Sequence, residues 1–381
     1  MKIRYYLKTF GCQMNKNDSE KLHALFRRRG FCESLDWKTA DVAVLNSCSV
    51  RDKAERRVIG FCHEINHFRI THNKPIKIAL TGCMPQYQAD TLLRKYPFID
   101  FITGVNNMED LPGLFTGNDT KEKQLTAIIQ TRSEKSIQRY ENDFFDTHRE
   151  TQDNAWVTIM FGCNNFCTYC IVPHTRGREQ SRKKEDILNE IKQCADQGYT
   201  QITLLGQNVN GYGKGLYQNY FFPELLIEIS GQFPELQKIN FITSHPKDIT
   251  NELIAVIRDN ARISRDIHFP MQHGDSRILR AMNRGYTAEE YLTKVSYIRK
   301  NIPGVRIGTD LIVGFPGETE EAFNNMLNMC RIIRFDFFNT AAFSPRSGTK
   351  ASEMSDQVDE KTKKERLAVL NELLDKITRS V

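Results

Sequence analysis

Two hydrophobic periodicities alternate along this chain. Short runs rich in β-branched and aromatic residues at 3–10, 42–45, 76–81 and 98–103 read as strands, and the segments between them repeat their apolar residues at helical spacing. The first helix carries Leu22, Leu25 and Phe26 on one face and meets a stop signal at Gly30. A second is expected over 53–69 and a third over 86–96, giving three strand-helix units and therefore a parallel sheet with crossover helices. Residues 117–154 are polar without a sustained period and read as a linker. A second series then starts, with strands expected at 156–160, 202–205, 238–243, 267–270, 306–313 and 337–342, the first five each followed by a helical segment. Thr287 and Glu290 have the spacing of a capping box, and Phe323, Met326, Leu327, Cys330 and Ile333 form a single helical stripe. Six such alternations predict a partial or full (β/α) barrel with its active site at the C-terminal strand ends. The fold class is thus α/β: an N-terminal parallel-sheet domain at 1–116, a linker at 117–154 and a barrel at 155–381.

Composition narrows the class of molecule. Across 381 residues, 40% are hydrophobic and 26% charged, which fits a globular chain and excludes a fibrous or disordered one. No run approaches the ~18 apolar residues of a membrane span, and the N-terminus alternates charged and apolar residues without a secretory core, so a cytoplasmic protein is expected, with no membrane partner. The formal net charge is +6, with the surplus in the first 116 residues around Arg27-Arg28-Arg29 and Arg51, Lys53, Arg56 and Arg57. Such a field attracts polyanions, although a solvated basic face reads equally well.

Ten cysteines in a reducing compartment point to metal binding or catalysis rather than disulfides. The densest group is Gly162-Cys163-Asn164-Asn165-Phe166-Cys167-Thr168-Tyr169-Cys170, directly after the first strand of the second series. Three thiolates in one loop can bind three irons of a cubane cluster and leave the fourth iron without a protein ligand. A closed zinc site needs a fourth ligand, for which His174 is the nearby candidate, and a redox pair at Cys167 and Cys170 is a further alternative. A second trio is spread out: Cys12, Cys48 and Cys83 each follow a predicted strand of the first domain. Parallel strands present those ends along one edge, where open α/β sheets place ligands, so these thiolates can converge on a second cluster. Cys32, Cys62, Cys194 and Cys330 read as core residues.

These residues resemble the methylthiotransferase branch of the radical S-adenosylmethionine enzymes over nearly the whole chain. The loop of Cys163, Cys167 and Cys170 is similar to the superfamily's cluster motif, and Cys12, Cys48 and Cys83 to the branch's auxiliary-cluster ligands. Thr9-Phe10-Gly11-Cys12-Gln13-Met14-Asn15 with Asp18-Ser19, and Asn46-Ser47-Cys48-Ser49-Val50-Arg51-Asp52-Lys53-Ala54, resemble the tRNA-modifying members rather than those acting on a ribosomal protein. Ile171 to Glu179, Leu204 to Asn210 and Asp310 to Thr319 carry further matches. The resemblance implies two [4Fe-4S] clusters, S-adenosylmethionine chelated at the open iron, and methylthiolation at C2 of an N6-isopentenylated adenosine beside the tRNA anticodon. Methylthiolation of threonylcarbamoyladenosine or of a ribosomal protein is the alternative, and a non-catalytic iron–sulfur protein that binds RNA is a further one. It also implies the tRNA anticodon stem-loop as partner, an electron donor such as a flavodoxin or ferredoxin, and a monomer.

Candidate cofactor contacts are Gly206, Gln207 and Asn208 at a strand end, Gly314, Phe315 and Pro316 in a turn where an adenine can stack, and Arg176, Arg178 and Arg182 for a carboxylate or RNA phosphate. His245 and His268 are assigned no role, and Glu179 and Asp310 are read either as pocket residues or as loop anchors. Two departures stand out. His273-Gly274-Asp275 replaces an expected Ser-Gly-Ser, and the sequence lacks the small β-barrel RNA-binding domain, TRAM, that normally ends this family. Either the chain is a truncated one, or affinity for tRNA is expected from the basic first domain and the barrel rim.

Overall fold

A computed structural model describes residues 2–49, 52–116, 149, 151 and 153–379. It divides into two compact units, Met1–Gln152 with Val172–Arg178, and Asp153–Ile171 with Glu179–Val381. Most of the expected linker, together with Val50 and Arg51, lies outside the described residues. The assignment of Val172–Arg178 to the first unit was not legible in the sequence pattern.

The first unit is a five-stranded sheet in which every pairing is parallel. Strands β1 (Arg4–Phe10), β2 (Cys32–Glu33), β3 (Val42–Ser47), β4 (Lys77–Gly82) and β5 (Phe101–Ile102) lie in the order β2-β1-β3-β4-β5. All six residues of β3 are buried, as expected of a central parallel strand covered on both faces. Helices α1 (Gln13–Arg28), α2 (Asp52–Thr71) and α3 (Cys83–Lys95), followed by the short α4 (Leu111–Leu114), complete the alternation. Leu45, Val58, Cys62, Ile65, Ile78, Leu80 and Leu92 share one core. Burial pushes the Cys62 thiol up to about 12, which suits a packing residue and not a nucleophile. The register pairs Phe10 with Ser47 and Ser47 with Gly82, so β1, β3 and β4 finish level. The unexpected β2 is two residues long and joins the edge through Cys32 N–H to Ile3 O and Ser34 N–H to Tyr5 O, a pairing too short to leave a period.

In the second unit β6 (Asn154–Thr158), β9 (Gln201–Leu205) and β10 (Lys238–Ile242) form one parallel sheet, and β11 (Asp266–His268), β12 (Arg306–Val313) and β13 (Phe337–Ala342) another. A bridge between Ile239 and Ile263, with Ser264 N–H donating to Ile239 O at 2.9 Å, joins them into a six-stranded partial barrel. Strands β7 (Met160–Phe161) and β8 (Gln180–Ser181) pair antiparallel beside it. The helices after the four-residue α5 (Val172–Thr175) are α6 (Lys184–Asp196), α7 (Phe222–Gln232), α8 (Asn251–Asp259), α9 (Ser276–Ala281), α10 (Ala288–Asn301), α11 (Glu320–Ile333) and α12 (Glu360–Arg379). Ile202, Leu204, Ile239, Phe241, Ile267, Ile307 and Leu311 pack into the main core. Strand alternation puts Thr203, Asn240, His268 and Asp310 on the opposite face, where His268 Nε2 lies 3.1 Å from Asp310 Oδ1. The expected capping box is present, with Thr287 Oγ1 accepting from Glu290 N–H at 3.2 Å and the Glu290 carboxylate accepting from Thr287 N–H at 2.8 Å. The stripe from Phe323 to Ile333 is buried. Among the described residues no helix is long and apolar enough to cross a membrane.

Candidate functional site

Cys12, Cys48 and Cys83 sit on the common edge where β1, β3 and β4 end. Cys12 is the N-cap of α1, Cys48 follows β3 directly, and Cys83 opens α3, three residues before the helix start expected from the pattern. Buried amides tie these loops together. Asn15 Oδ1 accepts from Cys12 N–H at 3.3 Å, while Asn15 Nδ2 donates to Asn46 Oδ1 and Ser47 O, each at 3.2 Å. Asn46 Nδ2 returns a bond to Asn15 O at 2.8 Å, and Ser47 Oγ donates to Thr81 O at 2.8 Å. Gly82 has φ +103°, and a Cβ there would stand 2.4 Å from Ser47 O, so only glycine allows β4 to end this close to β3. The joint role of these polar residues depends on the strand register, which no single sequence motif carries.

The electrostatics of this edge are unequal. A hydrogen bond from the Cys48 thiol, aided by Arg176 and by backbone donors at the helix start, lowers Cys12 to about 6. Burial raises the Cys83 thiol against the opposing pull of Arg176. Arg176 is itself buried, with Nη2 donating to Asp18 Oδ2 at 2.6 Å and Nε to Cys83 Sγ at 3.2 Å. The guanidinium is thus enclosed and holds a carboxylate of the protein, while its Nη1 has no protein partner.

The second trio lies in the loop after β7. Cys163 and Cys167 are buried and Cys170 half-buried, with Cys170 N–H donating to Cys167 O at 2.9 Å. Residues 281–284 clamp the loop. Thr168 N–H donates to Met282 O at 3.0 Å, Thr168 Oγ1 to Ala281 O at 2.8 Å, and Asn283 Nδ2 to Phe166 O at 3.0 Å. Arg284 Nη1 donates to Cys167 Sγ at 3.2 Å. Nothing in the sequence around Arg284 marked it, because its partner is 117 positions away.

Among the described residues no three of His, Cys, Asp and Glu are gathered tightly enough to hold a single metal ion, and His174 is exposed on α5. A mononuclear zinc site needs such closure, whereas a cubane places each thiolate on a different iron and asks for a more open trio. Each unit also holds buried polar atoms with no protein partner. Asp18 Oδ1, Ser49 Oγ and Arg176 Nη1 are those of the first. In the second unit the same holds for Gln180 Oε1, Gln207 Oε1, Asn210 Nδ2 and His245 Nε2. Native proteins rarely leave such atoms unpaired, so these mark where polar ligand groups fit.

Of the other expected contacts, Gly206 closely abuts Met160, where a Cβ would stand 2.6 Å from Met160 Cγ. Asn208 has both amide ends engaged, Nδ2 on Asp248 Oδ2 at 2.8 Å and Oδ1 accepting from His245 N–H at 3.1 Å, so it braces the strand end while its neighbour Gln207 keeps an unpaired oxygen. His245 accepts from Lys247 N–H on Nδ1, and burial with surrounding cations lowers its pKa to about 2, so the ring is neutral. Burial also raises Glu179, whose carboxylate lies where a Cβ on Gly211 would come within 2.8 Å.

Two more candidate contacts are enclosed by the protein itself. Arg182 is a buried framework residue, with Nη1 donating to Glu190 Oε2 and Thr158 O, both at 2.6 Å. Phe315 is fully buried against Phe343, ring centroids 5.4 Å apart, so its ring is enclosed by the core and not presented for stacking. The turn of Gly314, Phe315, Pro316 and Gly317 is instead a backbone device, with positive φ at Gly314 and Gly317. Arg178 is exposed. The departure at His273 also acquires an account. Asp275 N–H donates to His273 Nδ1, leaving Nε2–H to donate to Glu318 Oε2 at 3.0 Å, and Glu318 accepts from Gly314 N–H at 2.9 Å and Arg366 Nη1 at 2.7 Å. This buried network holds the turn at the end of β12.

Residues 157–330 match the model of the Radical SAM superfamily, and residues 4–104 match an uncharacterised protein family, UPF0004. The chain is 45% identical over 376 residues to the tRNA-2-methylthio-N(6)-dimethylallyladenosine synthase of Carboxydothermus hydrogenoformans, covering 98% of this chain and 84% of that one. It is 43% identical over 378 residues to the synthase of the same name from Thermoanaerobacter pseudethanolicus, covering 99% and 79%. Among solved structures, the radical S-adenosylmethionine methyltransferase TsrM from Kitasatospora setae superposes with a TM-score of 0.65 at 15% identity, covering 92% of this chain and 74% of that one, which is a likeness of fold. With nearly half its residues shared with named synthases across almost its full length, the chain belongs to the tRNA-2-methylthio-N(6)-dimethylallyladenosine synthase family of radical S-adenosylmethionine proteins.

Proposed function

We propose that this protein is a transferase that inserts a methylthio group at C2 of N6-isopentenyladenosine at position 37 of tRNA, beside the anticodon, using two molecules of S-adenosylmethionine and two [4Fe-4S] clusters. The observation that carries the reading is the pair of cysteine trios, one where the parallel strands β1, β3 and β4 end and one in the single loop after β7, in a chain 45% identical to a synthase of that name. When bound, the clusters and S-adenosylmethionine supply a 5′-deoxyadenosyl radical and a transferable methylated sulfur.

The chain's own residues do the rest. Cys163, Cys167 and Cys170 would hold one cluster and Cys12, Cys48 and Cys83 the other, three thiolates apiece. Gln207 Oε1 would serve as an acceptor, and Asn210 Nδ2 and His245 Nε2–H as donors, for polar groups of S-adenosylmethionine, since each is buried without a protein partner. Asn208 orients the His245 segment, and Glu318 fixes the backbone of the turn at Gly314. Glu179, kept in a desolvated position, adds an acceptor beside Gly211. Close packing of Gly206 against Met160 fixes the strand end that carries Gln207, and close approach of Gly82 to Ser47 O fixes the strand end that carries Cys83.

The RNA contacts of this reading are on basic surface. Arg27 and Arg28 are the last residues of α1, about 24 Å along the helix from Cys12 at 1.5 Å per residue, where they complement the helix C-terminus. They serve phosphates distant from the reacting base. A low-potential donor such as a flavodoxin or ferredoxin supplies electrons, and the protein works as a monomer in the cytoplasm.

The deciding experiment incubates anaerobically reconstituted protein with isopentenylated tRNA, reductant and S-adenosylmethionine, followed by mass spectrometry of the nucleosides. About eight irons per chain, release of 5′-deoxyadenosine and appearance of the methylthio nucleoside are expected. Unchanged isopentenyladenosine with radical release intact would reject this substrate. A methylthio group on threonylcarbamoyladenosine or on a ribosomal protein would reassign it.

A further inference from the structure

We propose that two buried arginines set the two cysteine trios to different reduction potentials, so that an incoming electron settles on the centre of Cys163, Cys167 and Cys170. The inference rests on the reading of both trios as cluster ligands. In each trio one sulfur accepts a bond from a guanidinium at the same distance: Cys167 Sγ from Arg284 Nη1 and Cys83 Sγ from Arg176 Nε, both 3.2 Å. Both arginines are nearly inaccessible, at 4% and 3% exposure, and neither side chain can lose its proton.

Their other partners differ in charge. Arg176 donates to Asp18 at 2.6 Å, and that carboxylate is itself buried, so the pair presents almost no net charge to Cys83. Arg284 donates instead to the Tyr286 hydroxyl at 3.0 Å, the Tyr169 hydroxyl at 3.4 Å and Pro270 O at 3.0 Å. All three partners are neutral, and among the described residues no carboxylate forms an ion pair with Arg284. A cation buried without a counter-ion is costly, and the only anionic groups it meets are the thiolates of the cluster loop. Reduction adds one electron, drawn from a low-potential one-electron donor, and so adds one negative charge at the centre. An uncompensated guanidinium bonded to a ligand sulfur in a low-dielectric setting stabilises that charge, whereas a neutralised pair stabilises it far less.

The test separates the centres within the full chain. Protein carrying Cys12→Ala, Cys48→Ala and Cys83→Ala, and protein carrying Cys163→Ala, Cys167→Ala and Cys170→Ala, are each reconstituted with iron and sulfide and titrated potentiometrically under electron paramagnetic resonance. The first, which keeps Arg284 beside its cluster, is expected to reduce at the higher potential. Adding Arg284→Gln lowers the reduced-to-oxidised ratio at fixed potential at least tenfold, about 59 mV for one electron, and Arg284→Lys recovers most of it. In the second protein Asp18→Asn unmasks Arg176 and raises the ratio by a similar factor. Should Arg284→Gln abolish iron binding, the Asp18→Asn arm decides. Full iron content with both midpoints unmoved overturns the proposal, whereas absence of iron from both starting proteins overturns the cluster assignment beneath it.

Discussion

Replacing Asn15 by Ala tests how the first trio is assembled. The side chain is fully buried and joins three backbone segments, accepting from Cys12 N–H and donating to Asn46 Oδ1 and Ser47 O. Cys12 is exposed, so water replaces the first bond at little cost. Asn46 and Ser47 are fully buried, so their two acceptors are left without this donor. At about 1–3 kcal/mol for each orphaned group, the substitution should cost about 2–6 kcal/mol, concentrated at the edge carrying Cys12 and Cys48. The expected result is a lower urea midpoint for the first unit and loss of about four of about eight irons, with 5′-deoxyadenosine release from the other centre retained. Asn15→Asp sharpens the test, because it keeps the acceptor facing Cys12 but removes both donors and sets a carboxylate against two oxygens. The reasoning requires Asp to be at least as damaging as Ala. An Asn15→Asp protein with the iron content and midpoint of the wild type would refute it.

Three further outcomes follow from the geometry. Because His245 is lowered to about 2 from 6.5, the unfolded chain takes up the proton first and stability declines as pH falls below 6.5; between pH 7.5 and 5 the loss through this ring is about 2 kcal/mol. His245→Asn keeps a cap acceptor for Lys247 N–H and should flatten that part of the urea-midpoint profile, so an unchanged decline would count against a buried neutral imidazole. Gly308→Ala drives a Cβ to within 1.8 Å of the Phe337 ring and should destabilise the second unit by about 1–3 kcal/mol or more in thermal melts, with Phe337→Leu recovering most of it; additive losses in the double variant would disprove the clash. Arg366→Met strips the buried Glu318 of its ion pair and should cost about 3–5 kcal/mol, and an equal loss when Glu318 is already Gln would show that the two residues are not coupled.

The alternation of strand and helix periods, the capping box at Thr287 and the stripe from Phe323 to Ile333 were legible in the sequence because each depends on residues near one another in the chain. The position of Cys12, Cys48 and Cys83 after successive strands was legible for the same reason, since parallel strands align their C-terminal ends. Partner choice over long separations was not. Arg176, Arg182 and Phe315 looked like ligand contacts from the motifs they follow, yet their guanidinium groups are enclosed with Asp18 and Glu190 and the ring with Phe343. Arg284 carried no local mark of its work at Cys167, and the reach of Asn15 to Asn46 and Ser47 needed the strand register. The sequence alone therefore determined the main strand-helix alternation and which cysteines follow successive strands, through local propensity and chain topology. Only the tertiary structure decided which charges are buried and what neutralises each, because burial and charge pairing depend on packing among residues distant in the chain.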